Sequence, residues 1–200
     1  MVITTGIILA GGRGQRFGKE KYLILLNNQS LLERVMTSIE SICNEILVVT
    51  SRELYHEISG KNLKAKIIVD ALPGKAAMGG LYTGLTFSNT NYALVVASDM
   101  PFLNSRLMQY MIDKIDGFDA VVPRINNFIE PLHAIYSKNC IENIKKLMDN
   151  GNLSLAKLLQ TINTKYISNE EIELFDPCHL SFFNINTQLD LIRARKIIDN

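Results

Sequence analysis

The sequence has no surplus of either charge: 21 Lys and Arg stand against 20 Asp and Glu, leaving a formal charge of +1. Broad nucleic-acid binding, which draws on clustered positive charge, is not expected from that balance. An apolar run of roughly 18 residues is also missing, so no segment qualifies as a transmembrane helix. Met1-Val2-Ile3-Thr4-Thr5 leads straight into an apolar stretch with no basic n-region or cleavage site, and a secretory signal is not expected. Cysteine is scarce. Cys43, Cys140 and Cys178 lie far apart and form no C-x-x-C pair, which excludes a disulfide frame and a cysteine-based zinc site and points to free thiols in the cytoplasm. No internal repeat or low-complexity segment breaks the chain. Against these absences, hydrophobic residues fill 47% of 200 positions, enough for one globular domain with a substantial core.

The stretch that stands out is Gly6 to Lys21, GIILAGGRGQRFGKEK. Ile7-Ile8-Leu9-Ala10 is an apolar run of the kind that forms a strand buried on both faces. Glycines at 11, 12, 14 and 18 follow, interleaved with Arg13, Arg16, Lys19 and Lys21. Glycine lets backbone N–H groups approach an anion closely, and the basic side chains add charge that a polyphosphate can use. A Walker A loop is excluded, because five residues separate Gly12 from Gly18 and Glu20 follows Lys19. The dinucleotide fingerprint is missed by one residue, and Thr50-Ser51 stands where a ribose-binding acid would end the second strand. The pattern that fits, L-A-G-G-x-x-x-R-F-G-x-x-K, resembles the opening of nucleotidyltransferases.

Downstream, Tyr22 to Leu26 ends at an Asn27-Asn28 turn. Ser30 and Glu33 have capping-box spacing ahead of a helical stripe of Leu31, Leu32, Val35, Ile39 and Ile42 that runs to about Asn44. Ile46–Thr50 and Ala65–Val69 read as buried strands around a short helix at Leu54–Ile58. Asp70 closes the third strand, as a turn or cap residue or as a ligand contact. Pro73 to Gly80 reads as a second glycine-containing loop feeding a helix from Leu81 to Phe87. Tyr92 to Ala97 is a central strand, and Asp99 beyond it could cap the next helix or hold Mg²⁺, a hard cation suited to carboxylate and phosphate oxygens. A helix capped by Asn104 buries Leu107, Met108, Met111, Ile112 and Ile115. A strand at Phe118–Pro123, a turn at Asn126-Asn127 and a returning strand at Ile129–Tyr136 follow; Pro131 suggests that the last is an edge strand or irregular. His133 could serve acid–base chemistry, hold an acceptor or be a hydrogen-bonded structural residue. Helices at Asn139–Met148 and Ser154–Gln160, a strand at Asn163–Ile167 and a final helix capped by Thr187 and Asp190, with Leu189, Ile192, Arg193 and Lys196 in its pattern, complete the chain. The alternation predicts an α/β fold, doubly wound, with a mostly parallel sheet flanked by helices on both faces. Residues 1–124 would form a nucleotide-binding half, and 125–200 an acceptor-binding half with a closing helix.

Taken together, GIILAGGRGQRFGKEK, the aspartate of IIVDALPG, LVVASDMPFL, EPLHAIYSK and FFNINT resemble molybdenum cofactor guanylyltransferase along nearly the whole chain. The resemblance implies transfer of GMP from GTP to the phosphate of molybdenum-bound molybdopterin, with release of pyrophosphate, in the cytoplasm. It implies that Leu9, Ala10, Gly11 and Gly12 line the guanine and ribose, that Arg16, Gly18 and Lys21 face the phosphates, and that Thr50, Asp70 and Gly80 are further nucleotide contacts. Some members carry asparagine where this chain has Thr50. Asp99 matches the Mg²⁺ ligand, and Asn186 an asparagine beside the reacting phosphates. After Gly151, where some members carry arginines on the pterin side, this chain reads Asn152-Leu153-Ser154. Insertion proteins or apo-molybdoenzymes would take the product; nucleic acid and membrane are not among the expected partners. A cytidylyltransferase of the same fold, a catalytically silent nucleotide-binding regulator and an NAD(P)-binding domain are the competing readings.

Overall fold

A computed structural model of the protein describes residues 2–11, 24–61 and 63–199. The strands are β1 (Thr4–Ala10), β2 (Leu25–Leu26), β3 (Gln29–Ser30), β4 (Glu45–Thr50), β5 (Lys66–Val69), β6 (Tyr92–Ala97), β7 (Ala120–Ile125), β8 (Phe128–Ile129), β9 (His133–Ser137) and β10 (Thr164–Ile167). The helices are α1 (Leu31–Ile39), α2 (Arg52–Ile58), α3 (Ala76–Phe87), α4 (Ser105–Asp113), α5 (Cys140–Asp149), α6 (Leu155–Thr161), α7 (Asn169–Glu173) and α8 (Gln188–Asp199). One sheet runs in the order β10-β7-β9-β6-β1-β4-β5, with β8 hairpinned onto β7. Every described residue of β1 is buried, as its unbroken apolar run requires, and it pairs in parallel with β4 on one side and β6 on the other. No helix among the described residues is long and apolar enough to cross a membrane.

The doubly wound arrangement follows from the alternation of side chains along each strand. Ile8, Val48, Leu94, Val96, Val121 and Ile135 point to one face, where α1, α2, α4 and α7 cover them with Leu32, Leu54, Leu107 and Ile172. Ile7, Leu47, Val49, Val95, Val122 and Tyr136 point to the other, beneath Met78, Leu81 and Leu85 of α3 and the helices α5 and α6. Met108 and Met111 are fully buried core residues, as their helical spacing predicts. The capping box at Ser30 and Glu33 is present, with Glu33 held below the usual carboxylate range by the Ser30 hydroxyl and backbone N–H. Burial pushes the Cys43 and Cys140 thiols up to about 12, so both stay protonated near neutral pH.

Several expectations are corrected by the fold. The glycine loop over Pro73–Gly80 is shorter than expected, because α3 begins at Ala76 and takes Gly79 and Gly80 into its first turns. The glycines within α3 serve close packing: a Cβ on Gly84 would stand 2.6 Å from Ile7 Cγ2, and one on Gly80 would stand 3.1 Å from Leu9 Cδ2. The returning strand is not at an edge, since β9 lies antiparallel between β6 and β7. Pro131 is tolerated because it falls in the connection before the strand, outside the ladder. In α8 the buried residues are Leu191 and Ala194, while Leu189 and Ile192 are exposed, so the inward stripe is offset from the predicted one. The helix α1 ends at Ile39 rather than near Asn44.

Candidate active site

The carboxyl ends of β1, β4, β5 and β6 all meet one edge of the sheet, because these strands are parallel. That edge carries Gly11, Thr50, Asp70 and Asp99, four of the residues expected at the site. Gly12, Arg16, Gly18 and Lys21 lie outside the described residues. Leu9 and Ala10 are the last residues of β1, both buried, and Gly11 is exposed just beyond them. The backbone of Gly11 therefore stands where a ligand can approach.

Thr50 serves this edge indirectly. Its side chain is buried, and its hydroxyl donates to the Ala10 carbonyl at 3.0 Å. The threonine holds the end of β1 immediately before Gly11. Asp70 is built into its own turn: its Oδ1 accepts from the Leu72 N–H at 3.0 Å and from the Thr83 hydroxyl at 2.8 Å. Thr83 in turn accepts the Ala71 N–H at 3.1 Å. This Asx-type turn fixes the connection that delivers α3 to the edge. Thr83 is a positioning residue that the sequence reading missed; its buried place one turn past Gly79-Gly80 carries no local signal. Gly80 lies against Leu9 rather than in an open loop. The first turn of α3 has no side-chain cap and no acidic residue, so its N-terminus can meet an anion.

Asp99 follows β6, which lies directly beside β1; the Ser98 N–H donates to the Leu9 carbonyl at 3.2 Å. The helix after it is capped by Asn104, whose Oδ1 accepts from the Arg106 and Leu107 N–H groups. Asp99 is therefore not the cap of α4. Among the described residues no three His, Cys, Asp or Glu side chains gather as a metal cage. A single carboxylate at a strand end suits Mg²⁺, which takes one or two protein oxygens and completes its shell from phosphate and water.

The distant FFNINT segment reaches the same place. The Ile185 N–H donates to the Asp99 carbonyl at 3.0 Å, which sets Asn186 one residue from Asp99's backbone. Several contacts fix that approach. Asp176 accepts the Leu180 and Ser181 N–H groups at 3.0 and 2.7 Å, Phe183 packs on Phe102 at 5.8 Å, and Phe182 lies 4.8 Å from the His133 ring. Asp190 then accepts the Asn186 and Thr187 N–H groups and the Thr187 hydroxyl. Those bonds, the Thr187 hydroxyl first, hold its carboxyl below the usual range.

His133 is not a surface acid or base. It is fully buried on β9, and neither ring nitrogen has a hydrogen-bond partner among the described residues. The hydrogen-bonded structural role foreseen for it is corrected to a packed one. Burial lowers its pKa to about 4, while its own backbone and Asp176 pull weakly upward. The imidazole is neutral near neutral pH.

Residues 6–166 match the family described as "MobA-like NTP transferase domain". A protein of Pelotomaculum thermopropionicum named "Probable molybdenum cofactor guanylyltransferase" is 31% identical over 200 residues, spanning 100% of this chain and 96% of its own. The molybdenum cofactor guanylyltransferase of Desulfosudis oleivorans is 32% identical over 200 residues, with 99% and 97% covered. The crystal structure of molybdopterin-guanine dinucleotide biosynthesis protein A from Archaeoglobus fulgidus superposes with a TM-score of 0.85 at 28% identity, covering 98% of this chain and 99% of that one. The 2-C-methyl-D-erythritol 4-phosphate cytidylyltransferase of Thermus thermophilus, with a TM-score of 0.72, 15% identity and 100% of both chains covered, shares the fold.

Proposed function

The chain belongs to the MobA-like NTP transferase family, and from that premise we infer that it is a guanylyltransferase of molybdenum cofactor synthesis. It moves GMP from GTP to the terminal phosphate of molybdenum-bound molybdopterin and releases pyrophosphate. The observation that carries this reading is the meeting of Gly11, Asp99 and the Ile185–Asn186 segment at one edge of the sheet, tied by the Ile185 to Asp99 hydrogen bond at 3.0 Å. Residues 1–124 hold the nucleotide, while residues 125–200 supply the acceptor side and the closing helix.

In this reading Leu9, Ala10, Gly11 and Gly12 hold guanine and ribose, with Thr50, Asp70 and Gly80 supporting them. Arg16, Gly18 and Lys21 face the triphosphate. An oxygen of the acceptor phosphate attacks the α-phosphorus of GTP in line, the bond from that phosphorus to the bridging oxygen breaks, and pyrophosphate leaves. Arg16 and Lys21 offset the charge that builds on the phosphoryl oxygens, and Asn186 orients them. Mg²⁺, held by Asp99, would supply Lewis-acid stabilisation of the phosphates when bound. No protein nucleophile is needed, because the attacking phosphate is already mostly ionised near neutral pH. The reaction belongs in the cytoplasm, with insertion proteins or apo-molybdoenzymes receiving the dinucleotide.

Calorimetric titration with GTP, CTP and ATP, each with and without Mg²⁺, tests the reading. A clear preference for GTP that weakens in Asp99→Ala is expected. A preference for CTP would move the activity to a cytidylyltransferase on the same fold. Failure to bind any triphosphate, with the acceptor absent or present, would leave no role for the nucleotide site.

A further inference from the structure

The hairpin of β7 and β8 rises from the same edge as Asp99, on the opposite side of that residue from Thr50 and Asp70. Its two-residue turn places Asn126 and Asn127 at φ of 47° and 71°, the left-handed backbone that such hairpins need. The ladder pairs Arg124 with Ile129 and Ile125 with Phe128, and it continues where the Glu130 N–H donates to the Pro123 carbonyl at 3.0 Å. Opposed residues share a face and alternate ones switch, so Pro123, Ile125, Phe128 and Glu130 lie on one side. Arg124 and Ile129 lie on the other, where the Arg124 guanidinium sits 3.7 Å from the centre of the Tyr166 ring.

The first of these faces lies on the side of the sheet where Phe182 packs. Ile125 packs on the core layer that also takes up Phe182, whereas Ile129 packs on the opposite layer. Phe128 and Glu130 thus share the side of the sheet on which Phe182 packs, ahead of Asn186 in the chain. The connection after Glu130 is pinned to β6, with the Ala97 N–H donating to the Leu132 carbonyl at 3.2 Å, two residues before Asp99.

Neither side chain serves the core. Phe128 is 76% exposed, the most exposed of the large apolar side chains described. Glu130 is half-buried, burial pushes its carboxyl above the usual range, and no hydrogen bond or ion pair to that carboxylate is found among the described residues. An exposed ring and a partly desolvated acceptor on one face of a rigid hairpin suit a flat heterocycle that carries paired N–H donors.

We propose that Phe128 and Glu130 determine specificity for the acceptor by holding the 2-amino-4-oxo-pyrimidine ring of a pterin. The Glu130 carboxylate accepts two parallel bonds, from the ring N–H and the exocyclic amine, and Phe128 stacks on the ring face. Guanine presents the same edge, but the nucleotide contacts lie over β1, β4 and β5, whereas this pair lies over β9 and β7 on the far side of Asp99. The inference rests on the guanylyltransferase reading above.

The test is steady-state kinetics of the full chain with GTP and purified molybdenum-bound molybdopterin, for wild type, Phe128→Ala, Phe128→Tyr and Glu130→Gln. The acceptor KM should rise about tenfold or more in Phe128→Ala and Glu130→Gln, as removal of a stacking or charge-assisted contact would give. Phe128→Tyr should keep the wild-type value, and GTP affinity by calorimetry should stay within about twofold in every variant, because Phe128 and Glu130 touch only the acceptor. An unchanged acceptor KM in both variants overturns the pair alone. A matched loss of GTP affinity overturns it too, by placing the pair on guanine. A wild-type protein that binds GTP but forms no dinucleotide overturns the guanylyltransferase reading, and the pair with it.

Discussion

Acidification should destabilise this protein through His133. The imidazole is fully buried between β9 and Phe182, and burial lowers its pKa from 6.5 in the unfolded chain to about 4. Below pH 6.5 the unfolded chain therefore takes up a proton that the native state refuses until about pH 4. Stability rises with pH wherever the unfolded state binds more protons, so the contribution is fully present above pH 6.5 and is lost as pH falls toward 4. The shift corresponds to about 3 kcal/mol, of which about 2 kcal/mol should disappear between pH 7 and 4.5. The assay is urea denaturation at a series of pH values for wild type and His133→Leu. Carboxylates with lowered pKa, such as Glu45, Glu171 and Asp190, contribute to acid sensitivity in both proteins. They cancel in the difference between the two curves, which isolates His133. Wild type should lose about 2 kcal/mol more than the variant over that range. Equal losses would refute the reasoning, because they would mean that the ring is hydrated or hydrogen-bonded and titrates normally.

Other perturbations separate the site from the scaffold. Lys21→Ala should raise the barrier to GMP transfer by about 2–4 kcal/mol in single-turnover kinetics, and a wild-type rate would remove the role assigned to Lys21. Asp99→Asn should lower kcat by a factor on the order of 10²–10³ and flatten its dependence on Mg²⁺; a retained metal dependence would place the ion elsewhere. Thr50→Val should cost about 1–2 kcal/mol of stability by removing the donor to the Ala10 carbonyl, and should weaken GTP binding seen by calorimetry. Gly84→Ala would set a Cβ 2.6 Å from Ile7 Cγ2; overpacking of about 1–3 kcal/mol should outweigh the roughly 1 kcal/mol that alanine gains in a helix. A variant that unfolds at higher urea than wild type would show that α3 can move away from β1.

The elements that could be read in the sequence are those whose signal is local. The apolar run before Gly11, the Ser30–Glu33 box and the Asn27-Asn28 and Asn126-Asn127 turns each act through neighbours in the chain, and each appears where expected. The misplaced features depend on what lies across the sheet. A Met-Gly-Gly run reads as a loop because glycine disfavours helix, yet here it lies in α3, where a Cβ on Gly79 would strike the Leu72 carbonyl and one on Gly80 would press on Leu9. Pro131 signals an edge only if it sits in a ladder, and the sequence does not reveal that the strand starts at His133. The outward turn of Leu189 and Ile192 likewise follows from α8 meeting Leu26 and Leu31 through Leu191 and Ala194.

At the site, the same division separates residues from their contacts. The placement of Asp70 and Asp99 at the sheet edge was legible because each is an acid at the end of an apolar strand, and parallel strands carry such ends to one edge. Nothing local relates Asn186 to Asp99, which stand far apart in the chain. Their approach is set by the tertiary contacts of the intervening segment: the Asp176 carboxylate on the Leu180 and Ser181 N–H groups, Phe182 on His133, and Ile185 on the Asp99 carbonyl. His133 therefore has a physical reason to be neutral and buried. A charged ring under Phe182 would loosen the segment that brings Asn186 beside Asp99, so activity and stability should fall together as the ring takes up its proton.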